Sequence, residues 1–150
     1  MDANVIDFLV RAKKATFAGN GTKIKSSRPN SKDLLYTEGE LKYLDTYLGG
    51  ANFAGEEALW KNDVPFWSMN YIGRVLPNDV SLEPLMRFLT EALLLVPPQY
   101  PYRGPLQHDN GDFSYRCAVH GDFHWFSGIE EIFYKSTKVY ELVFHGGDVK

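Results

Sequence analysis

Apolar side chains recur along this chain with two different periods, and the change between them divides it into segments. Val5, Phe8, Leu9 and Ala12 fall at i, i+3, i+4 and i+7, which predicts an amphipathic first helix with Asp2 or Asn4 available as its cap. Gly19-Asn20-Gly21 ends that helix, and GTKIKSSRPN, with turn formers and Pro29, reads as a long surface loop. From Leu34 to Val75 aromatic and β-branched residues are punctuated by Glu38-Gly39, Gly49-Gly50 and Asn62-Asp63. That pattern predicts antiparallel strands near 34–37, 40–48, 53–61 and 65–75. Leu82, Leu85, Met86, Leu89, Leu93 and Val96 then return to helical spacing, with Ser81 as a cap, Pro84 in the tolerant first turn and Pro97-Pro98 as the stop. After the connector PPQYPYRGP, a second meander is expected near 112–119, 122–126, 129–135 and 138–145.

The two meanders resemble each other. Residues 56–75 align without a gap to 130–149 and match Glu56 to Glu130, Glu57 to Glu131, Lys61 to Lys135, Gly73 to Gly147 and Val75 to Val149. Five identities stand against about one expected at ordinary residue frequencies. With one inserted residue, Phe53 and Gly55 pair upstream with Phe126 and Gly128, and Tyr43 pairs with Tyr115. Each half also opens with a helix bearing Phe-Leu (Phe8-Leu9, Phe88-Leu89). The expected fold is therefore α+β in one domain spanning 1–150. It has two pseudo-symmetric helix-plus-antiparallel-meander halves, about 1–77 and 78–150, that join into one sheet with the helices on one face.

Composition narrows the class further. At 150 residues, 44% hydrophobic and 23% charged, the chain can bury a core, and no apolar run approaches the roughly 20 residues of a membrane span. The acidic, helical start is unlike a signal peptide, and a lone Cys117 excludes an internal disulfide, so a cytoplasmic location is expected. The net charge of −3 conceals a polarity: seven basic residues and no acid lie between Phe8 and Lys32, whereas the remainder from Asp33 on is strongly acidic. Nucleic-acid contact is not expected of such a surface.

Alternation within strands assigns Glu56, Ala58 and Trp60 to one face and, by the alignment, Glu130, Ile132 and Tyr134 to its counterpart. Carboxylates beside large rings suit a cationic or amphipathic guest. The expected lining of a pocket between the halves is Glu56, Trp60, Trp67, Tyr71, Glu130 and Tyr134, with Arg28 and Arg103 as candidates for contact with an anionic group. Cys117, His120 and His124 have a spacing that invites a metal, but Cys117 and His120 would point to opposite faces, so neither a metal nor a cofactor is expected. Phosphate-loop, dinucleotide, nucleophile-elbow and zinc-protease motifs are missing.

The stretches FLVRAKKATFAGNG, SSRP, YLGGANFAGEEALWK, NYIGRVL, YRGP and WFSGIEEIFY resemble, across nearly the whole chain, a bacterial domain family of unknown function. Its members occur alone or behind XRE-type helix-turn-helix modules, which implies a sensory role. A looser, topology-level similarity to GyrI-like and SOUL-type effector-binding folds implies a central cleft for amphipathic ligands. The function expected is small-molecule binding. The alternatives are a hydrolase-like enzyme using a pocket glutamate and a protein-interaction or homodimer module using the aromatic face.

Overall fold

The computed structural model describes residues 2–17 and 21–150. The elements are α1 (Asp2–Phe17), β1 (Thr22–Ile24), β2 (Lys32–Glu38), β3 (Leu41–Gly49), β4 (Asn52–Lys61), β5 (Val64–Val75), α2 (Leu82–Leu93), β6 (Gln107–Asn110), β7 (Phe113–Asp122), β8 (Trp125–Tyr134) and β9 (Thr137–Asp148). All nine strands form one antiparallel sheet in the order β1-β2-β3-β4-β5-β9-β8-β7-β6. Two helices on an antiparallel sheet make the fold α+β, as the periodicity predicts. The chain leaves the central strand β5, passes through α2, and returns by β6 to β9, so that β9 closes against β5.

Three local expectations change. The loop after α1 contributes β1, an exposed edge strand pairing with β2, and the glycine-rich connector runs into β6. The segments predicted as 122–126 and 129–135 are one strand, β8, because the tight turn falls at Asp122–Trp125. The turn at Gly19-Asn20 lies outside the described residues.

Alternation places Tyr43, Leu59, Trp67, Met69, Tyr115, Ile132, Tyr140, Leu142 and Phe144 on the inner face. There they pack with Phe8, Leu9, Leu85, Phe88 and Leu89 of the two helices in one core. Among the described residues no helix covers the outer face, and Ile72, Ile129 and Val143 stand out from it exposed.

Turns and register shifts recur in the two meanders at a different offset from the sequence alignment. The register of β4 on β5 shifts at Leu59/Trp60 and that of β8 on β9 at Ile132/Phe133. The left-handed turn residues Asn62-Asp63 recur as Lys135-Ser136. These features lie 73 residues apart rather than 74, so Glu57, not Glu56, stands where Glu130 stands. A slip of one residue exchanges the two faces of a strand. The alignment thus pairs the outer-face set Glu56, Ala58, Trp60 with the inner-face set Glu130, Ile132, Tyr134.

Candidate functional site

Two buried ion pairs lie beneath the helices. Lys13, on the apolar stripe of α1, is fully buried and donates from Nζ to Glu57 Oε1 at 2.7 Å and to the Tyr102 carbonyl at 2.7 Å. Tyr43 Oη donates to the same glutamate oxygen. In the other half Arg103 grips Glu130 with two bonds, Nε to Oε2 at 3.1 Å and Nη2 to Oε1 at 2.9 Å. Tyr115 and Tyr140 donate to the two oxygens as well. Glu130 thus takes four donors, which accounts for how a carboxylate is tolerated at 0% exposure. Burial pulls the Lys13 ammonium below its ordinary value, with Glu57 opposing the shift.

Two further buried carboxyls have no cation of their own among the described residues: Asp33 on β2, which accepts from the Ser31 and Thr46 hydroxyls at 2.7 and 3.3 Å, and Asp45. Asp45 lies between Tyr43 and Tyr47 on β3, is 6% exposed, and accepts from Tyr71 Oη at 2.6 Å through Oδ1. Among the described residues it forms no ion pair, and the hydrogen bond from Tyr71 is the one side-chain bond it receives. Burial is the main reason its carboxyl is pushed up to about 7. The neighbouring Glu57 charge adds to the shift, whereas the Tyr71 bond, Lys13 and Arg103 oppose it. Tyr71 is raised far above the ordinary phenol range, first by burial and then by Asp45.

Asp45 and Tyr71 line a cleft of about 420 Å³ between α2 and the first meander. Its far wall is the apolar face of α2, with Leu82, Met86, Leu89 and Leu93. Its near wall is Tyr47, Phe53 and Tyr71, with Arg103 at the base and Lys32 at the rim. The ring of Phe53 meets Tyr71 edge-on at 5.9 Å, and Lys32 Nζ sits 5.5 Å from the Tyr47 centroid. Gly55 on β4 makes this possible: a Cβ there would lie 2.5 Å from Tyr71 Oη and 2.6 Å from the Thr46 carbonyl, so only glycine lets the phenol cross the strand to Asp45. In the second meander Cys117 pairs in register with Glu130, as Asp45 does with Glu57, and the Phe144 ring covers Gly128. No carboxyl or phenol stands at those two places.

Of the residues expected at the site, Tyr71 and Arg103 line the cleft, and Glu130 lies behind Arg103 as its anchor. The others fall elsewhere. Trp67 is core: it is stacked on Phe123 at 5.1 Å and Phe126 at 5.7 Å, with its indole N–H donated to the Phe123 carbonyl at 2.9 Å. Tyr134 packs on Phe113 at the end of β8, in a separate hollow beside Pro84. Glu56 and Trp60 lie on the outer face, so Glu56 and Glu130 do not converge. Arg28 is exposed and donates to the Thr46 carbonyl at 3.3 Å, away from the cleft.

Asp45, Tyr47 and Phe53 escaped the sequence reading. The signal was present in the Tyr43-x-Asp45-x-Tyr47 alternation, which puts a carboxylate on a ring-bearing face. Likewise Lys13, four residues after Leu9, interrupts an otherwise apolar stripe.

Among the described residues no group of three His, Cys, Asp or Glu side chains is arranged to hold a metal ion. Cys117 is buried and its thiol is pushed up to about 12, chiefly by burial, while His124 bridges Asp2 and Asp148. Among the described residues no helix is long and apolar enough to cross a membrane.

The model of a family described as Domain of unknown function, DUF5680, matches residues 45–149, a span that begins at Asp45 and includes Tyr71, Arg103 and Glu130. No curated protein and no solved structure matches the chain.

Proposed function

The chain belongs to the DUF5680 family, and we propose that it is a binding domain whose cleft between α2 and β3–β5 takes a small amphipathic or cationic molecule. The observation that carries this reading is Asp45. A carboxyl held at the base of a ring-lined cleft without an ion pair of its own is costly to fold; the Tyr71 bond and the nearby Lys13 and Arg103 charges offset part of that cost, and a ligand cation or a proton offsets the rest. The two halves, about 1–77 and 78–150, are read as diverged copies related by a pseudo-twofold axis between β5 and β9. The 73-residue recurrence of turns, register shifts and buried glutamates supports this. Divergence to Cys117 and Phe144 leaves the second copy without a polar cleft of this kind. Where family members are joined to helix-turn-helix modules, as the sequence resemblance implies, occupancy of the cleft would be the sensed event.

A hydrolytic role for Glu56 or Glu130 has little geometric support. Glu130 spends its lone pairs on four donors, and Glu56 faces away from the cleft.

The test is a thermal-shift screen of cationic and neutral amphiphiles on the protein and on Met86→Trp, which fills the cleft from α2. A ligand at a hundredfold excess over its Kd raises the midpoint by about 5–10 °C for a chain of this size. The shift is expected to vanish in Met86→Trp. No stabilisation by any class, or a shift undiminished by the tryptophan, contradicts the reading.

A second reading, self-association through the outer face, is favoured by a run of small and apolar residues in strict register across five strands: Leu48, Ala54, Ile72, Val143 and Ile129. Arg74 and Glu141 flank it side by side. A twofold axis parallel to the strands between β5 and β9 would set each Arg74 opposite the other copy's Glu141.

A further inference from the structure

We infer that the head group taken by this cleft is an ammonium bearing N–H donors, seated on the Asp45 carboxylate between the rings of Tyr47, Phe53 and Tyr71, with its apolar body along α2. The inference rests on the cleft being the binding site and adds the chemistry of what occupies it.

Three features of the geometry converge on that class. Oδ1 of Asp45 is taken by Tyr71, and no described side chain donates to Oδ2, so the carboxylate lacks one strong donor. The two neighbouring cations are already committed, Lys13 to Glu57 and Arg103 to Glu130 in a two-bond grip, leaving Asp45 as the unbalanced charge of the buried group. The rings beside it are of the kind whose faces attract cations, and two of them do so here: the Lys32 ammonium lies 5.5 Å from the Tyr47 centroid and the Arg103 guanidinium 5.5 Å from that of Tyr71, which leaves Phe53 as the ring without a cation. A quaternary ammonium would satisfy the charge and the rings but would leave Oδ2 without a hydrogen bond, which favours an amine. A carboxylate head would meet Asp45 itself.

The groups facing Asp45 set the proton count. Glu57 on β4 and Tyr71 on β5 adjoin it, Lys13 from α1 and Arg103 from the connector oppose its protonation, and Lys32 on β2 lies at the rim. The face that α2 turns to the cleft is apolar. With Asp45 protonated in the empty cleft, the exchange is R–NH₃⁺ plus Asp45–COOH giving the ion pair plus one H⁺ released to solvent. The affinity for an amine should therefore fall by about tenfold per pH unit below pH 7 and level off above it.

The experiment is calorimetric titration of the full chain with four probes of matched body: 4-phenylbutylamine, (4-phenylbutyl)trimethylammonium, 4-phenylbutan-1-ol and 4-phenylbutyrate. The amine is expected to bind at least about tenfold more tightly than the alcohol at pH 8 and more tightly than the quaternary salt. It should release close to one proton near pH 6, judged from buffers of different ionisation enthalpy. Asp45→Asn, confirmed folded by its melting transition, should bind amine and alcohol alike and release no proton, and Lys32→Gln should bind the amine more tightly. If the alcohol or the carboxylate binds as well as the amine and Met86→Trp abolishes it, the cleft is the site but the head-group assignment is overturned. If none of the four binds, both the assignment and the site are overturned. An amine preference that survives Asp45→Asn also overturns the assignment.

Discussion

At the scale of the single residue, the most consequential fact is that four carboxyls are buried among the described residues and only two have a cation; Asp33 is held instead by the Ser31 and Thr46 hydroxyls, and Asp45 by one phenol. Lys13–Glu57 and Arg103–Glu130 are pairs from which neither member can be removed alone. Lys13→Met leaves Glu57 uncompensated and is expected to cost about 3–5 kcal/mol in urea unfolding, whereas Lys13→Met with Glu57→Leu should recover most of it. Equal losses in the single and double variants would contradict the pairing. Asp45 behaves in the opposite way. Its folded carboxyl sits at about 7, above the ordinary 3.8, so the native state takes up a proton that the unfolded chain does not. The stability this gives is complete below the ordinary carboxylate range and is lost as pH rises through about 7. Asp45→Asn should abolish that component, so that the variant gains on the parent between about pH 4 and 7 and keeps a constant margin above that. If the two unfolding curves stay parallel over that range, the carboxyl is not held as described.

At the scale of the element, strand alternation decides which side chains can meet, and this is where the sequence was both most and least informative. The helices, the hairpins around Glu38-Gly39 and Asn62-Asp63 and the antiparallel class were legible because turn chemistry and hydrophobic period agree there. Tyr71 and Glu130 are legible as strand residues aimed at the helices because rings and charges in register are visible in a strand, whereas Arg103, expected on the connector as a contact for an anionic group, pairs with Glu130. The placing of Glu56 opposite Glu130 failed because adjacent identical residues, Glu56-Glu57 and Glu130-Glu131, allow two registers. The identities scored the wrong one, and a slip of one residue turns a side chain through the sheet. Asp45 was hidden by its distance from the Glu-rich segment, and the α2 wall by the absence of any sequence mark that aims a helix at one strand rather than another. Gly55 tests the strand-level account. Gly55→Ala should push Tyr71 off Asp45, lower stability by about 1–3 kcal/mol and weaken ligand binding beyond that loss. Unchanged binding would mean that the phenol does not depend on the glycine.

At the scale of the whole molecule, one sheet offers two unlike faces. The inner face is closed over by α1 and α2 except at the cleft and at the hollow beside Pro84 and Tyr134. The outer face is open, crossed by its apolar row and by the Arg74–Glu141 pair. If copies associate through that row, the full chain should run as a dimer in light scattering at about 100 µM, and Ile72→Lys should return it to a monomer while leaving the melting temperature within a few degrees. A parent protein that is monomeric at that concentration excludes the interface. If the two halves are diverged copies, as proposed, the second still lacks a polar cleft of this kind, because Cys117 and Phe144 stand where Asp45 and Tyr71 stand in the first. One equivalent of ligand per chain is the stoichiometry expected.

The most direct measurement is a residue-resolved map of where an amphiphile lands, from amide and methyl chemical-shift changes on titrating 4-phenylbutylamine into the labelled chain. The account predicts saturable shifts at Tyr47, Tyr71, Met86, Leu89 and Leu93. Shifts confined to Ile72, Ile129 and Val143 on the open side of the sheet, with those five residues unmoved, would contradict it.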